Sequence, residues 1–194
     1  MKAYTYNSQY QQSFLTVINY AVQEFPRTLA LRVDLHFPSY YKYGDSNKEI
    51  TRFIESLKAK IEVDCKNKNQ DWEHNWSNRL RYIWVREIGE LNHRKHYHIL
   101  LLLNKDFYYS AGKFDSKTSL AGLIQQAWCS ALGIERFQCN GLIHFTENGQ
   151  HMLNINQRDY SQQLANLLHR MDYLAKDHTK SYHDGYRSIG MSRG

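Results

Sequence analysis

HYHILLLL, residues 96–103, decides the fold. Side chains alternate across a strand, so His96 and His98 share one face and Tyr97 points to the other. The run that follows is apolar on both faces, which marks a strand buried from both sides at the centre of a sheet. Just upstream, LRYIWVREI at 80–88 reads as a second strand. The short polar stretch between the two predicts an antiparallel hairpin.

Working outward, TLALRVDLHF at 28–37 alternates Leu29, Leu31, Val33, Leu35 and Phe37 on one face and reads as the first strand. Before it, Phe14, Val17, Ile18, Ala21, Val22 and Phe25 fall at helical spacing over 13–25, and Pro26 stops the pattern. Ser46 to Glu49 has the form of a capping box and opens a helix through Ile50, Phe53, Ile54, Leu57 and Ile61. Residues 67–79 are polar and predict a loop. A helix follows at 119–132, with Gly133 as its stop. Asn148-Gly149 between GLIHF (141–145) and HMLNI (151–155) predicts a hairpin turn. A last helix is expected over 161–177. Together these predict one α+β domain over 1–194, a mainly antiparallel sheet of about five strands with helices packed on it. Within it, 1–26 carries the N-terminal helix and 178–194 forms a basic tail.

Composition narrows the function. The chain of 194 residues suits a single core, and no apolar run reaches the roughly 20 residues that span a bilayer. The mean hydropathy of −0.69 implies a polar surface, and a cytoplasmic protein follows. Cys65, Cys129 and Cys139 are scattered and read as ordinary reduced thiols. The net charge of +6 favours a polyanionic partner, and the 15 tyrosines offer faces on which unpaired bases can stack.

Two imidazoles rooted roughly 7 Å apart on one strand face can converge on a divalent ion. A third ligand is expected from the neighbouring strand. Glu87 is drawn toward the pair if the hairpin closes around 89–94; Glu90 is its competitor. Two imidazoles and a carboxylate leave positions open for water and phosphate oxygens, and suit Mn²⁺ or Mg²⁺ while also accepting Zn²⁺ or Ni²⁺. On the last helix, Leu164, Leu167, Leu168, Met171, Leu174 and Ala175 form an apolar stripe. Tyr173 lies almost opposite, with Asn166, His169, Arg170 and Lys176 on its half. A phenol titrates near pH 10, so it needs activation before attacking phosphorus, and Lys176 one turn on stabilises the phenolate.

The order of LRVDLHFP, WVREIGE, HYHILLLLN and YLAKDHTK, closing on SIGMSRG, resembles the HUH endonucleases, and within them the gene-II-protein type replication initiators of filamentous phages and prophages (inoviruses). The similarity runs from about Leu31 to Arg193. It implies a Rep-like fold related to the ferredoxin-like sandwiches, and a nickase/ligase that initiates rolling-circle replication on single-stranded DNA, often at an origin hairpin. The family's tyrosine becomes joined to the 5′ phosphate and leaves a 3′ hydroxyl for a polymerase. By this resemblance His96, His98 and Glu87 hold the metal, Tyr173 attacks and Lys176 assists, while a host helicase unwinds. A non-cleaving DNA-binding module of the same fold, a relaxase or transposase of the same superfamily, and a different metal hydrolase are the alternatives. Arg170, Lys180, Arg187 and Arg193 are candidate DNA contacts. The tail after 177 either grips backbone phosphates or is a disordered end. Asp34 and His36 are candidates for the floor of the cleft, with a structural role the alternative for Asp34, and His144 and His151 read as surface residues.

Overall fold

The computed structural model describes residues 8–42, 44, 46–89, 94–172 and 186–193. In chain order its elements are α1 (Ser8–Glu24), β1 (Arg27–Leu35), α2 (Lys48–Asp71), β2 (Arg81–Ile88), β3 (Lys95–Asn104) and α3 (Leu120–Leu132). A 3₁₀ turn (Arg136–Cys139), β4 (Ile143–Asn154), α4 (Tyr160–Asp172) and β5 (Ile189–Met191) complete it. The strands form one sheet in the order β4-β1-β3-β2-β5. All four pairings are antiparallel, and β3 holds the centre.

The alternation of each strand sorts its side chains between two cores. Leu29, Leu31, Val33 and Leu35 of β1, Trp84 of β2, and Tyr97, Ile99, Leu101 and Leu103 of β3 pack against α2 and α3. Ala30, Ile83, Val85, Leu100 and Leu102 meet α1 and α4 on the other face. β3 is apolar on both sides because helices cover it on both sides; each of its fully buried leucines contributes about 1.5–3 kcal/mol of transfer free energy. Over its described residues the stripe on α4 does what its spacing predicts: Leu167 and Met171 are buried, and Leu164 and Leu168 pack half-buried beside them, while Leu174 and Ala175 lie outside the described residues. Gly133 caps α3 in the left-handed conformation, as expected.

Several local expectations are corrected. The Asn148-Gly149 pair does not turn a hairpin. β4 continues through it as one strand, pairing with β1 on both sides of a bulge at which the register jumps from Leu31↔Gln150 to Val33↔Phe145. Asn148 takes a φ of 53° there, and a side chain on Gly149 would collide with Thr146 and the Arg32 carbonyl. A dipeptide that tolerates left-handed backbone serves a bulge as well as a turn. The fifth strand is instead β5, which sequence periodicity left within the tail. The capping box does not form either. Asn47 is the N-cap and makes no side-chain cap bond. Glu49 accepts from Lys95 Nζ at 3.3 Å, because a buried ammonium needs a counter-charge more than a helix end needs a cap. α2 runs on through Asp71 into the stretch expected as loop. Lys68–Asp64 and the Tyr108 hydroxyl on Asp64 hold its last turns, and Trp76 packs edge-on against Phe107. Cys129 and Cys139 are joined as a disulfide across a separation of 10 residues, where free thiols were expected; Cys65 is free and buried. Among the described residues no helix is long and apolar enough to cross a membrane.

Candidate metal centre

The β2–β3 hairpin forms as its sequence predicts and sets Glu87 directly opposite His96. Period-two alternation then puts Glu87, His96 and His98 on the α1/α4 face of the sheet, on the row that carries Val85 and Leu100 further along. One ligand atom from each of the three lies within 4.8 Å of the others. Glu87 Oε2 is 3.2 Å from His98 Nε2 and 3.8 Å from His96 Nε2. Glu90, the competing carboxylate, lies outside the described residues.

The remaining ring nitrogens show how the imidazoles are aimed. His98 Nδ1–H donates to Asp34 Oδ1 at 2.6 Å, and His96 Nδ1 faces the Arg94 carbonyl at 3.3 Å. Both Nδ1 atoms are thus committed to acceptors, which leaves both Nε2 atoms directed at the Glu87 carboxylate. This is how metal-binding histidines are held: a carboxylate or carbonyl behind the ring fixes the tautomer and raises ligand basicity. Asp34 reaches this position because the β1 register pairs it with His98. Of the two readings the sequence left open for it, positioning beneath the histidine is the one the geometry favours. Arg32, two residues earlier on the same face, pairs with Asp34 at 3.4 Å. Its Nη2 also approaches His98 Nδ1 at 3.4 Å, but that nitrogen has one proton and the shorter Asp34 bond uses it.

Electrostatics follow from this arrangement. Burial alone would push His98 down, but its bonds to Asp34 and Glu87 outweigh burial and hold it above the ordinary imidazole range. Asp34 is raised by burial and lowered more strongly by His98 and Arg32, so it lies below the usual carboxylate value. Burial and then the neighbouring His98 hold His96 below its ordinary value. Burial and then His96 do the same to His36, whose ring stacks on His96 with centroids 5.5 Å apart. Without a cation, a protonated His98 between two carboxylates balances the buried charge; a divalent ion on the Nε2 side would take over that task.

The other predicted residues separate. Tyr173, Lys176 and Lys180 lie outside the described residues. The described part of α4 reaches Asp172 and packs on the same sheet face as Glu87, His96 and His98. Arg170 is exposed on its last turn. Arg187 is exposed near the Glu87 end of β2, where Asn47 Nδ2 donates to its carbonyl. Arg193 is exposed at the opposite end, its carbonyl held by Arg81. Glu87 lies six residue steps along β2 from Arg81, about 20 Å at roughly 3.3 Å per residue, so Arg193 is remote from the centre. His144 is exposed, opposite Asp34 on β4. His151 is half-buried rather than a surface residue. The sequence reading missed Arg32, although LRVDLHF places Arg32, Asp34 and His36 on one strand face.

Residues 2–192 match the family described as the YagK/YfjJ C-terminal domain. Two relatives come from Escherichia coli (strain K12). One, named "Uncharacterized protein YagK", is 39% identical over 193 residues, covering 95% of this chain and 92% of its own. The other, named "Uncharacterized protein YfjJ", is 35% identical over 198 residues, covering 96% and 95%. No solved structure matches the chain. With the match running over nearly its whole length, the chain belongs to the YagK/YfjJ C-terminal domain family.

Proposed function

We propose that the protein is a metal-dependent nickase and ligase of single-stranded DNA that initiates rolling-circle replication through a 5′-phosphotyrosine bond. The observation that carries this reading is the convergence of two Nε2 atoms and one carboxylate on the sheet face against which α4, the helix preceding Tyr173 in the chain, packs. Glu87, His96 and His98 would hold the ion, for which Mn²⁺ or Mg²⁺ fits the open, mixed nitrogen and oxygen donor set; Zn²⁺ or Ni²⁺ can occupy it. When bound, the ion draws charge from the scissile phosphate and fixes its orientation.

The chain's own residues do the rest. Asp34 holds the His98 tautomer, and Glu87 supplies the anionic ligand. The Tyr173 phenol gives up its proton and its oxygen attacks phosphorus. The P–O3′ bond breaks, and the 3′ oxygen leaves as a hydroxyl after taking a proton. Lys176 stabilises the phenolate on the way in and the charge on the phosphoryl oxygens. The reverse attack by a 3′ hydroxyl religates the strand and frees the tyrosine. The substrate is single-stranded DNA at an origin hairpin, with a host helicase and polymerase acting on the nicked product. The setting proposed for this chemistry is the cytoplasm.

The test is a labelled origin strand incubated with protein and Mn²⁺, then denatured on a gel. A covalent protein–DNA adduct that disappears with Tyr173→Phe supports the nickase. Binding without an adduct makes the protein a non-cleaving module of the same architecture. Cleavage that survives Tyr173→Phe makes it a different metal-dependent hydrolase.

A further inference from the structure

Beside the metal centre the β4 bulge opens a second concavity. Between Leu31 and Val33, β1 carries only Arg32, whereas β4 carries residues 146–149 between their partners Phe145 and Gln150. The extra backbone lifts away from the sheet and leaves a pocket of about 170 Å³ against the last turns of α4. Arg32, Thr146, Gly149, His151, Arg170 and Met171 line it, with the exposed Glu147 also at its wall. It is continuous with the metal centre through Arg32, which pairs with Asp34 behind His98, and through Leu100, two residues along β3 from His98.

Two polar atoms in the wall of this pocket lack a partner. Thr146 Oγ1 and His151 Nε2 are both buried and make no hydrogen bond. A buried polar group is stabilised by finding a partner, so two together at one cavity point to a place where a bound polar group would be satisfied. The ligand is specified by its surroundings. Two guanidiniums supply positive charge from opposite walls, one on β1 and one on α4. The Thr146 hydroxyl and the protonated form of His151 Nε2 add donors from the bulge. Donors that converge from several directions on a small volume suit a group with several anionic oxygens in tetrahedral array.

We propose that this pocket binds a phosphoryl group, either a backbone phosphodiester of a single strand passing the metal centre or a free phosphate. Only the strand source rests on the nickase reading; the phosphate chemistry stands without it. Burial and the Arg170 charge hold His151 below its ordinary pKa, and a bound anion would reverse the second of these.

The test is a binding measurement in EDTA, so that neither metal nor cleavage enters. Anisotropy of a labelled oligothymidylate is followed against salt for the native chain, Arg170→Ala, Thr146→Val and Lys117→Ala. Lys117 is exposed in the segment just before α3, which packs on the other sheet face, and controls for net charge. In parallel, inorganic phosphate is titrated while the His151 ring nitrogens are followed by NMR. A strand in the pocket predicts about tenfold weaker binding and a salt slope lower by about one for Arg170→Ala, weaker binding for Thr146→Val, and little change for Lys117→Ala. Oligonucleotide binding indifferent to all three, with His151 signals that move with phosphate in the native chain but not in Thr146→Val, assigns the pocket to free phosphate. Indifference in both arms overturns the proposal. Because no step requires cleavage, a protein that binds here yet never forms an adduct refutes the nickase alone.

Discussion

Removing the Asp34 carboxylate should weaken metal binding without touching a ligand. The His98–Asp34 bond of 2.6 Å is short, in the manner of charge-assisted hydrogen bonds, and it commits His98 Nδ1 so that Nε2 faces Glu87. Loss of such a partner behind a metal-binding histidine typically costs 10- to 100-fold in affinity. That corresponds to about 1.4–2.8 kcal/mol, at roughly 1.4 kcal/mol per tenfold. The two substitutions divide this range. Asp34→Asn keeps an acceptor oxygen and the tautomer but removes the charge, and it leaves Arg32 without its counter-ion 3.4 Å from the His98 ring. A loss of about tenfold is expected. Asp34→Ala also frees the ring to rotate, and the loss should approach a hundredfold. The assay is Mn²⁺ titration followed by calorimetry or by the spin resonance of the free ion, with circular dichroism to establish folding and Glu87→Ala as the variant that loses a ligand outright. If both Asp34 variants stay folded and bind Mn²⁺ as tightly as the native chain, the carboxylate does not position His98.

Other outcomes follow from the packing. Lys95→Met should destabilise the fold by about 3–5 kcal/mol in urea, because it strands Glu49 as a buried, unpaired carboxylate; adding Glu49→Gln should recover much of the loss. Gly190→Val should cost about 1–3 kcal/mol, since a Cβ on Gly190 would lie 2.3 Å from the Trp84 ring and β5 could no longer dock flat on β2. Trp128→Ala should cost about 3–5 kcal/mol. It removes a fully buried ring packed on Phe37 and Phe53, together with the Trp128 Nε1 bond to the His36 carbonyl. Saturating Mn²⁺ at about 100 times its Kd should stabilise the native chain by about 2.7 kcal/mol, and the rise in Tm should vanish in His98→Ala or on adding EDTA.

What the sequence disclosed and what it hid divide along physical lines. Period two and helical spacing are local, so β1, β2, β3, α3 and the central place of HYHILLLL could be read directly. The juxtaposition of Glu87, His96 and His98 was legible for the same reason: a short hairpin fixes register, and alternation then fixes their common face. Tertiary demands decided the rest. Asn148-Gly149 is the same signal in a turn and in a bulge, and only the long partner β1 selects the bulge. Glu49 is a good capping residue that a buried Lys95 on a distant strand takes instead. β5 has three residues and no periodicity to read; it exists because the β2 edge is there to pair with. The Asp34 role needed the β1–β3 register, which one sequence does not reveal.

The proposed function requires that Glu87, His96 and His98 seat a divalent ion. The most direct measurement is anomalous diffraction from crystals of the native chain soaked in Mn²⁺. A peak within coordination distance of His96 Nε2, His98 Nε2 and a Glu87 carboxylate oxygen, absent in His98→Ala, is the predicted result. A peak elsewhere, or none at a concentration that saturates binding in solution, would contradict it.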